Sequence, residues 1–260
     1  MRNAISQLEF QAVPADVMTV REARALWANF RYREGWAHVA VPLLSDPSGN
    51  LKLGKSVVPS FGLSLAPHRI SGANVCVAST VVCRGGCVAY NGHAAKDPHV
   101  MMARATKTRF MFAHPEAFVT LLEHEIRLAV KRRGRIAVRL NTFSDVAWER
   151  VAPHLFEIDG VTFYDYTKRT DRTPPAGYHL TVSATERTTV EDVRSHVLAG
   201  SAVAVVLNVK RSEPVPTTWH GMPVTDGDKT DERWEDGGTV VALRAKGKLI
   251  GDRSGFVKAP

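Results

Sequence analysis

From residue 57 onward, short segments rich in β-branched residues alternate with longer amphipathic segments. Strands that alternate with helices favour a mainly parallel sheet, because each helix carries the chain back across the sheet. The predicted strands span residues 57–65, 135–141, 161–167, 178–183, 202–209 and 239–246. The pattern therefore predicts an α/β fold in the form of a partial (β/α) barrel of about six mainly parallel strands.

Capping residues mark the ends of the predicted helices. Thr19 followed by Glu22 forms a capping-box pattern and predicts a helix over residues 20–30. Pro115 stands at a favoured first helical position, and an amphipathic segment follows it as far as Gly134. Two well-delimited helices are therefore expected, one before the alternating region and one within it.

The sequence predicts two parts of unequal size. Residues 1–56 form an N-terminal lead-in of one helix and one strand, packed on a main domain over residues 57–260. The main domain carries a cysteine-containing loop over residues 66–92 after its first strand. The connection over residues 169–177 is too short for a helix, so the alternation is interrupted there.

Polar side chains occupy alternate positions in several predicted strands. Parallel strands covered by helices on both faces are usually apolar on both sides. A polar face therefore predicts a barrel interior that receives a ligand near the carboxyl ends of the strands. An antiparallel sheet with one solvated face is the alternative interpretation. The residues concerned are Arg139, Asn141, Tyr164, Tyr166, Lys168, His179, Thr181, Ser183, Arg244 and Lys246.

The three cysteines of the chain, Cys76, Cys83 and Cys87, lie within twelve consecutive positions. Thiols grouped in this way favour ligation of one metal centre: an iron–sulfur cluster that keeps one iron open, or a zinc ion that takes a fourth ligand. His93 is the nearest candidate for that fourth ligand. Unrelated buried or redox-active cysteines are the alternative, since short cysteine patterns occur without metals.

The segment TDGDKTDERWED, residues 225–236, is the most acidic part of the chain. It lacks the glycine and terminal glutamate spacing of a calcium-binding loop. We expect a hydrated surface loop here, with a magnesium or substrate contact as the alternative.

The chain is basic, with a formal net charge of +8 and an isoelectric point near 9.6. Such a charge favours anionic partners, including nucleic acid and small phosphorylated or carboxylated ligands. One basic group, at residues 127–135, crowds the end of a predicted helix, where cations also complement the helix dipole. No apolar run is long enough for a membrane span and no signal-peptide core follows Met1, so we expect no membrane association.

Several blocks of the sequence resemble a bacteriophage family of the "gene product 88" type, common in phages of actinobacteria. The resemblance covers residues 43–257 and rests on SLAPHRISGANVC, ARATKTRF, VRLNTFSDVAWE, VTFYDYTKR, TWHGMPVTDGD and VALRAKG. It implies a phage-encoded protein that acts in the cytoplasm of the infected bacterial host. The resemblance does not supply a biochemical activity.

A wider likeness is to radical SAM enzymes, which carry three cysteines in the loop after the first strand of a partial six-stranded barrel. This resemblance implies that Cys76, Cys83 and Cys87 hold a [4Fe–4S] cluster whose open iron binds S-adenosylmethionine. The spacing here is C-x6-C-x3-C, whereas those enzymes usually show C-x3-C-x2-C, and Gly86 stands where an aromatic residue precedes their last cysteine.

Together these features predict an iron–sulfur protein with an open coordination site for a small anionic ligand. The pocket would be lined by residues predicted to bind a cofactor or ligand: Arg139, Asn141, Tyr166, Lys168, Ser183 and Lys246. The alternative is a non-catalytic module, stapled by an iron–sulfur cluster or zinc, that binds host nucleic acid or a host protein. The sequence leaves open whether the protein is an enzyme.

Overall fold

The computed structural model describes residues 12–35, 42–47, 57–90 and 97–260. His93 and most of the lead-in strand predicted near residues 37–44 lie outside these ranges. The α-helices are α1 Val20–Arg33, α2 Val81–Gly85, α3 Pro98–Ala113, α4 Pro115–Arg133, α5 Trp148–Val151 and α6 Val190–Leu198. The 3₁₀ helices are Val88–Tyr90, Pro153–Glu157, Arg233–Glu235 and Gly247–Leu249.

The described strands form one ten-stranded sheet. They are β1 Leu44–Ser45, β2 Ser60–Leu63, β3 Ile136–Arg139, β4 Val161–Thr167, β5 Tyr178–Ser183, β6 Ala202–Leu207, β7 Thr218–Trp219, β8 Met222–Asp226, β9 Val240–Arg244 and β10 Val257–Lys258. Their order in the sheet is β1-β2-β3-β4-β5-β6-β9-β8-β7, with β10 beside β6.

The sheet is mainly parallel, as the alternation of elements predicts. Every pair from β2 to β6 is parallel, as are β6 with β9, β9 with β8 and β6 with β10. Only β1 and β7, at the two ends of the order, pair in the antiparallel sense. Because these ends do not meet in the described chain, the sheet is open, and the barrel expected from the sequence is not confirmed.

Helix α1 forms where the capping pattern places it and extends three residues past the predicted end. The Thr19 hydroxyl accepts from the Glu22 backbone N–H at 3.3 Å, and the Glu22 carboxylate accepts from the Thr19 backbone N–H at 2.8 Å. This reciprocal pair satisfies two of the N–H groups that a helix start leaves free. Trp27 then packs on Phe110 of α3, with ring centroids 4.8 Å apart.

Helix α4 spans the range that Pro115 and Gly134 predict. Its buried residues recur at helical spacing and face the sheet: Ala117, Phe118, Leu121, Leu122, Ile126 and Ala129. Each buried leucine or phenylalanine contributes about 1.5–3 kcal/mol to folding. Gly134 takes a φ of 78° after the last turn, a left-handed conformation that glycine adopts without strain.

The two faces of the sheet differ. The helix-covered face carries apolar residues along the strands, and Val138, Phe163 and Tyr178 follow one another across β3, β4 and β5. The opposite face carries six of the polar residues that the sequence pattern singles out: Arg139, Tyr164, Tyr166, His179, Thr181 and Ser183. On it, Tyr164 lies beside His179, and Tyr166 lies beside Thr181.

The acidic segment at residues 225–236 is not the hydrated loop expected from its composition. Asp231, Arg233 and Asp236 are only 1%, 2% and 5% exposed. Asp231 accepts from the Arg139 guanidinium at 3.2 Å and from the Tyr164 hydroxyl at 3.1 Å. The expectation was wrong because arginines compensate the buried aspartates: Arg139 comes from a distant part of the sequence, and Arg233 lies within the segment. The segment covers the polar face.

None of the described helices is long and apolar enough to cross a membrane.

Candidate metal centre

The cysteine segment follows β2 and lies across the carboxyl ends of the neighbouring parallel strands. The Asp145 backbone N–H, after β3, donates to the Val75 carbonyl at 2.7 Å. The Thr80 hydroxyl donates to the Glu186 carboxylate, after β5, at 2.9 Å. These contacts hold the segment at the edge where parallel α/β folds place their functional groups.

The cysteine segment also packs closely against the residues that follow β9. A Cβ atom added to Gly86 would lie 2.5 Å from the Leu249 Cγ atom, closer than packed carbon atoms come. Glycine at this position therefore lets the loop that carries Cys83 and Cys87 pack against the turn Gly247–Leu249.

Cys76 is held by the backbone on both sides. Its Sγ atom accepts from the His68 backbone N–H at 3.3 Å and donates to the Phe143 carbonyl at 3.4 Å. Burial, together with the charges of Cys87, Asp145 and Cys83, raises the pKa of Cys76 to about 12. Without a metal, this sulfur therefore remains a thiol at neutral pH.

Cys83 lies in the short helix α2, where its backbone N–H donates to the Thr80 hydroxyl at 3.1 Å. Cys87 follows the helix. Burial raises the pKa of Cys87, while the nearby cations of Lys168 and Arg104 act in the opposite direction. Lys168 and Arg104 therefore compensate part of a negative charge at Cys87.

All three cysteines are free and partly buried. They lie in one segment at the carboxyl ends of the parallel strands, and the charge of Cys83 raises the pKa values of Cys76 and Cys87. Among the described residues, no group of three histidine, cysteine, aspartate or glutamate side chains is arranged so that it could hold a single metal ion. The grouping of the thiols is present, and the geometry of a one-ion site is not found in this part of the chain.

A histidine–tyrosine pair lies beside the thiols, and the sequence did not mark the two residues as a pair. The His68 Nε2 atom and the Tyr90 hydroxyl are 2.7 Å apart. Burial raises the pKa of Tyr90, and the charges of Cys87 and Cys76 raise it further. His68 takes a φ of 39°, a left-handed conformation that is unfavourable for a residue with a Cβ atom.

Two cations approach Cys87 from different elements. Arg104 of α3 is 8% exposed, donates to the Ala89 carbonyl at 3.3 Å and stacks over the Phe143 ring at 4.2 Å. Lys168 follows β4, and its backbone N–H donates to the Asp145 carboxylate at 2.8 Å. Lys168 was predicted as a site residue, whereas Arg104 was not, because nothing in its local sequence marks it as buried.

The six residues predicted to line the pocket do not form one cluster. Arg139 and Tyr166 share the polar face, with the guanidinium 4.6 Å from the ring centroid. The Arg139 guanidinium is also paired with Asp231, which lowers its availability to a ligand. Ser183 lies on the same face, partly buried, at the end of β5.

Lys246 belongs to another cluster. Its Nζ atom lies 2.6 Å from the Asp228 carboxylate, beside Arg244, which pairs with Asp226 at 3.0 Å. The register of β9 places Arg244 next to Leu207, on the helix-covered face. The sequence-based assignment of Arg244 to the polar face was therefore wrong.

Asn141 organises the loop after β3. Its side-chain carbonyl oxygen accepts from the Ser144 hydroxyl at 2.7 Å and from the Val146 backbone N–H at 2.8 Å. Its backbone N–H and its amide group donate to Asp165 at 2.7 and 3.1 Å. Because this loop also carries Phe143, the Asn141 side chain supports the carbonyl that accepts from Cys76.

The buried Asp165 carboxylate holds Asn141 in place. Its titration gives a testable pH dependence of the protein's stability. Burial raises its pKa from 3.8 to about 6, against the hydrogen bond from Tyr178 at 2.7 Å. Since the folded pKa exceeds the unfolded one, the native state gains stability from protonation as the pH falls toward 4. The side chain at position 165 cannot titrate in Asp165→Asn. The free energy of unfolding of this variant should therefore fall further below that of the wild-type protein, by about 1 kcal/mol, between pH 7 and pH 5.

Urea denaturation at several pH values measures this difference. Asp192→Asn is the matched control, because Asp192 is an exposed capping carboxylate whose pKa is lowered by hydrogen bonds from Thr189. Asp192 titrates below pH 4. The difference in the free energy of unfolding between Asp192→Asn and the wild-type protein should therefore stay constant between pH 7 and pH 5. A deficit of Asp165→Asn that narrows toward pH 5 would show that burial does not dominate at this site.

Residues 42–260 match the sequence profile of the family described as Gene product 88. The chain belongs to the Gene product 88 family. The matched range contains the three cysteines, Arg104 and Lys168, and it begins after α1. No curated protein and no solved structure matches the chain. The resemblance noted in the sequence is therefore confirmed at the level of this family, and the likeness to radical SAM enzymes stays a prediction.

Proposed function

We propose that this member of the Gene product 88 family is an iron–sulfur protein. In this proposal Cys76, Cys83 and Cys87 hold a [4Fe–4S] cluster with one iron open to a small anionic ligand, as in radical SAM enzymes. The observation that carries the proposal is the grouping of three free thiols at the carboxyl edge of a parallel sheet. The sequential order of β2 to β6 in the sheet supports the comparison, because neighbouring strands also follow one another in a partial (β/α) barrel.

A cluster and a single ion make different demands on the positions of the thiols. In a [4Fe–4S] cluster each cysteine binds a different iron, so the sulfurs need not converge as closely as the ligands of one zinc ion. Burial raises the pKa of Cys76 to about 12, so its thiolate requires a compensating cation. Metal binding supplies such a charge and releases the proton.

The charges around Cys87 favour an anionic ligand. Arg104 and Lys168 both bring positive charge close to its sulfur. Arg104 presents a planar donor group suited to a carboxylate or phosphate, and Lys168 presents a mobile point charge. A bound cluster would supply the open iron and an electron-transfer centre, and these two side chains would hold the ligand's anionic group beside it.

Anaerobic purification tests the proposal. We expect a brown protein that contains iron and acid-labile sulfide in equal amounts, with visible absorbance that changes when S-adenosylmethionine is added. A colourless protein with stoichiometric zinc would favour the metal-stapled module instead. Protein that acquires neither metal, even after reconstitution with iron and sulfide under reducing conditions, would overturn both interpretations.

Lys168 provides a test of the ligand site itself. Lys168→Ala should weaken binding of S-adenosylmethionine by about tenfold, because a charge-assisted contact contributes about 1.5 kcal/mol, while the iron content stays at the wild-type value. Isothermal titration on anaerobic protein measures the affinity. Lys246→Ala is the matched control, since Lys246 is engaged with Asp228. Equal losses in the two variants would remove Lys168 from the site.

A further inference from the structure

A basic surface lies on helices α1 and α4, away from the cysteines. The two helices run side by side in opposite directions. Phe30, near the end of α1, contacts His114 at the start of α4, with ring centroids 5.9 Å apart. Arg24, near the start of α1, lies 2.9 Å from the His124 Nε2 atom in the middle of α4. The start of α1 therefore lies toward the carboxyl end of α4.

This arrangement brings exposed cations of both helices together. On α4, His124, Arg127 and Lys131 follow at helical spacing on one side of the helix. Arg21 lies one turn before Arg24 and so points toward the same region of α4. We define the α1–α4 basic surface as the exposed residues Arg21, Arg24, Arg127 and Lys131.

Two acidic residues lie near this surface, and one of them pairs with a member of the surface. Glu22 forms the capping box with Thr19. Glu123 lies 2.8 Å from Arg127 and 3.5 Å from His154, and it is largely buried. In the described part of the chain, no ion pair involves Arg21 or Lys131. The surface therefore keeps a net positive charge.

The helix dipole does not account for this distribution. Cations near the carboxyl end of α4 are favourable to the dipole, so Lys131 has a structural explanation. Arg21 and Arg24 lie in the first turns of α1, where a positive charge is unfavourable. Their position is better explained by a partner than by the stability of their own helix.

We propose that the α1–α4 basic surface binds the phosphate backbone of duplex DNA. Protein partners are usually recognised through an apolar centre, and in the described residues of α4 no large hydrophobic side chain is exposed. Single strands are usually held by aromatic stacking. Tyr32 is exposed on α1, but it lies at the opposite end from Arg21 and Arg24. Fixed rows of cations on two rigid helices suit the regular charge of a duplex.

Fluorescence anisotropy with a short labelled DNA duplex of mixed sequence tests the proposal. With about three phosphates neutralised, by Arg21, Arg24 and Lys131, the affinity should fall about 40-fold between 50 and 200 mM KCl. The variant Arg21→Glu/Lys131→Glu should bind at least about tenfold more weakly in 50 mM KCl and show a salt slope reduced by about two. The same protein should bind single-stranded DNA more weakly than the duplex.

A second variant separates this surface from the overall charge. Lys210→Glu/Arg211→Glu alters the net charge by the same amount at exposed positions remote from α1 and α4. We expect the control to keep nearly the wild-type affinity. Equal losses in the two variants, or no duplex binding by the wild-type protein in 50 mM KCl, would overturn the proposal. Circular dichroism confirms that each variant is folded. Wild-type protein stripped of iron should bind the duplex with the same affinity as untreated protein, so this test does not depend on the metal centre.

Discussion

Replacement of Cys76, Cys83 or Cys87 by alanine is expected to remove almost all iron from the anaerobically purified protein. Each thiolate binds a separate iron of the proposed cluster, so two remaining thiolates would leave the cluster open to loss. Because loss of an outer partner of a metal ligand already costs 10–100-fold in affinity, loss of a ligand should cost more than about tenfold. Colorimetric iron and sulfide determination measures the result.

Two further variants make this test specific. Val81→Ala lies in α2 between the cysteines, and its side chain is 71% exposed, so it should keep the wild-type iron content. Cysteine-to-serine variants remove the thiolate with little change of shape and should lose iron like the alanine variants. If any single cysteine variant keeps the full complement of iron and sulfide while remaining folded, that cysteine is not a ligand.

Asp231→Ala is expected to lower the free energy of unfolding by about 3–5 kcal/mol. The Asp231 carboxylate is buried and lies 3.2 Å from the Arg139 guanidinium, and removal of one partner leaves the other charge uncompensated. Tyr164 loses one hydrogen-bond acceptor but keeps Ser60 at 2.8 Å. Urea denaturation followed by circular dichroism measures the change.

The double variant Arg139→Leu/Asp231→Leu separates the value of the pair from the cost of an unpaired charge. Apolar replacement of both members of a buried ion pair is often close to neutral, so the double variant should be more stable than Asp231→Ala. Asp171→Ala is the exposed control: Asp171 pairs with Arg150 and Arg169 at the surface, and its loss should cost less than about 1 kcal/mol. If Asp171→Ala costs as much as Asp231→Ala, the burial argument fails.

Local rules predicted the elements whose ends are set by their own residues. The Thr19–Glu22 capping box and the Pro115 start each identified a helix, because these signals act within one or two turns. Helix α3 was not predicted. Its residues 104–108 are all buried, including Arg104 and Lys107, so it lacks the apolar stripe by which helices are recognised.

The burial of charge could not be predicted in the same way. Asp231 and Arg139 stand 92 positions apart, and only the folded sheet brings them together. Asn141 follows the alternation of the polar face in sequence, yet the chain turns after β3 and directs its amide group to Asp165 on the other face. Alternation predicts side-chain direction only while the strand continues.

The residues of the candidate site also divide into those that the sequence identified and those that only the fold brings together. The cysteines were evident from the sequence because their spacing is local. Arg104, His68 and Tyr90 approach them through the packing of α3 and of the loop after β2, and no short pattern marks these residues. Sequence analysis therefore identified the proposed ligands and missed most of their surroundings.

The two adjacent glycines before Cys87 are alike in the sequence and unequal in space. A Cβ atom on Gly85 would meet no other atom within 4 Å, whereas one on Gly86 would overlap the Leu249 side chain. Substitution of Gly85 therefore meets no steric barrier. A side chain at position 86 would instead push the segment that carries Cys83 and Cys87 away from Leu249. The position of this segment relative to the turn Gly247–Leu249 depends on the absence of a Cβ atom at one residue.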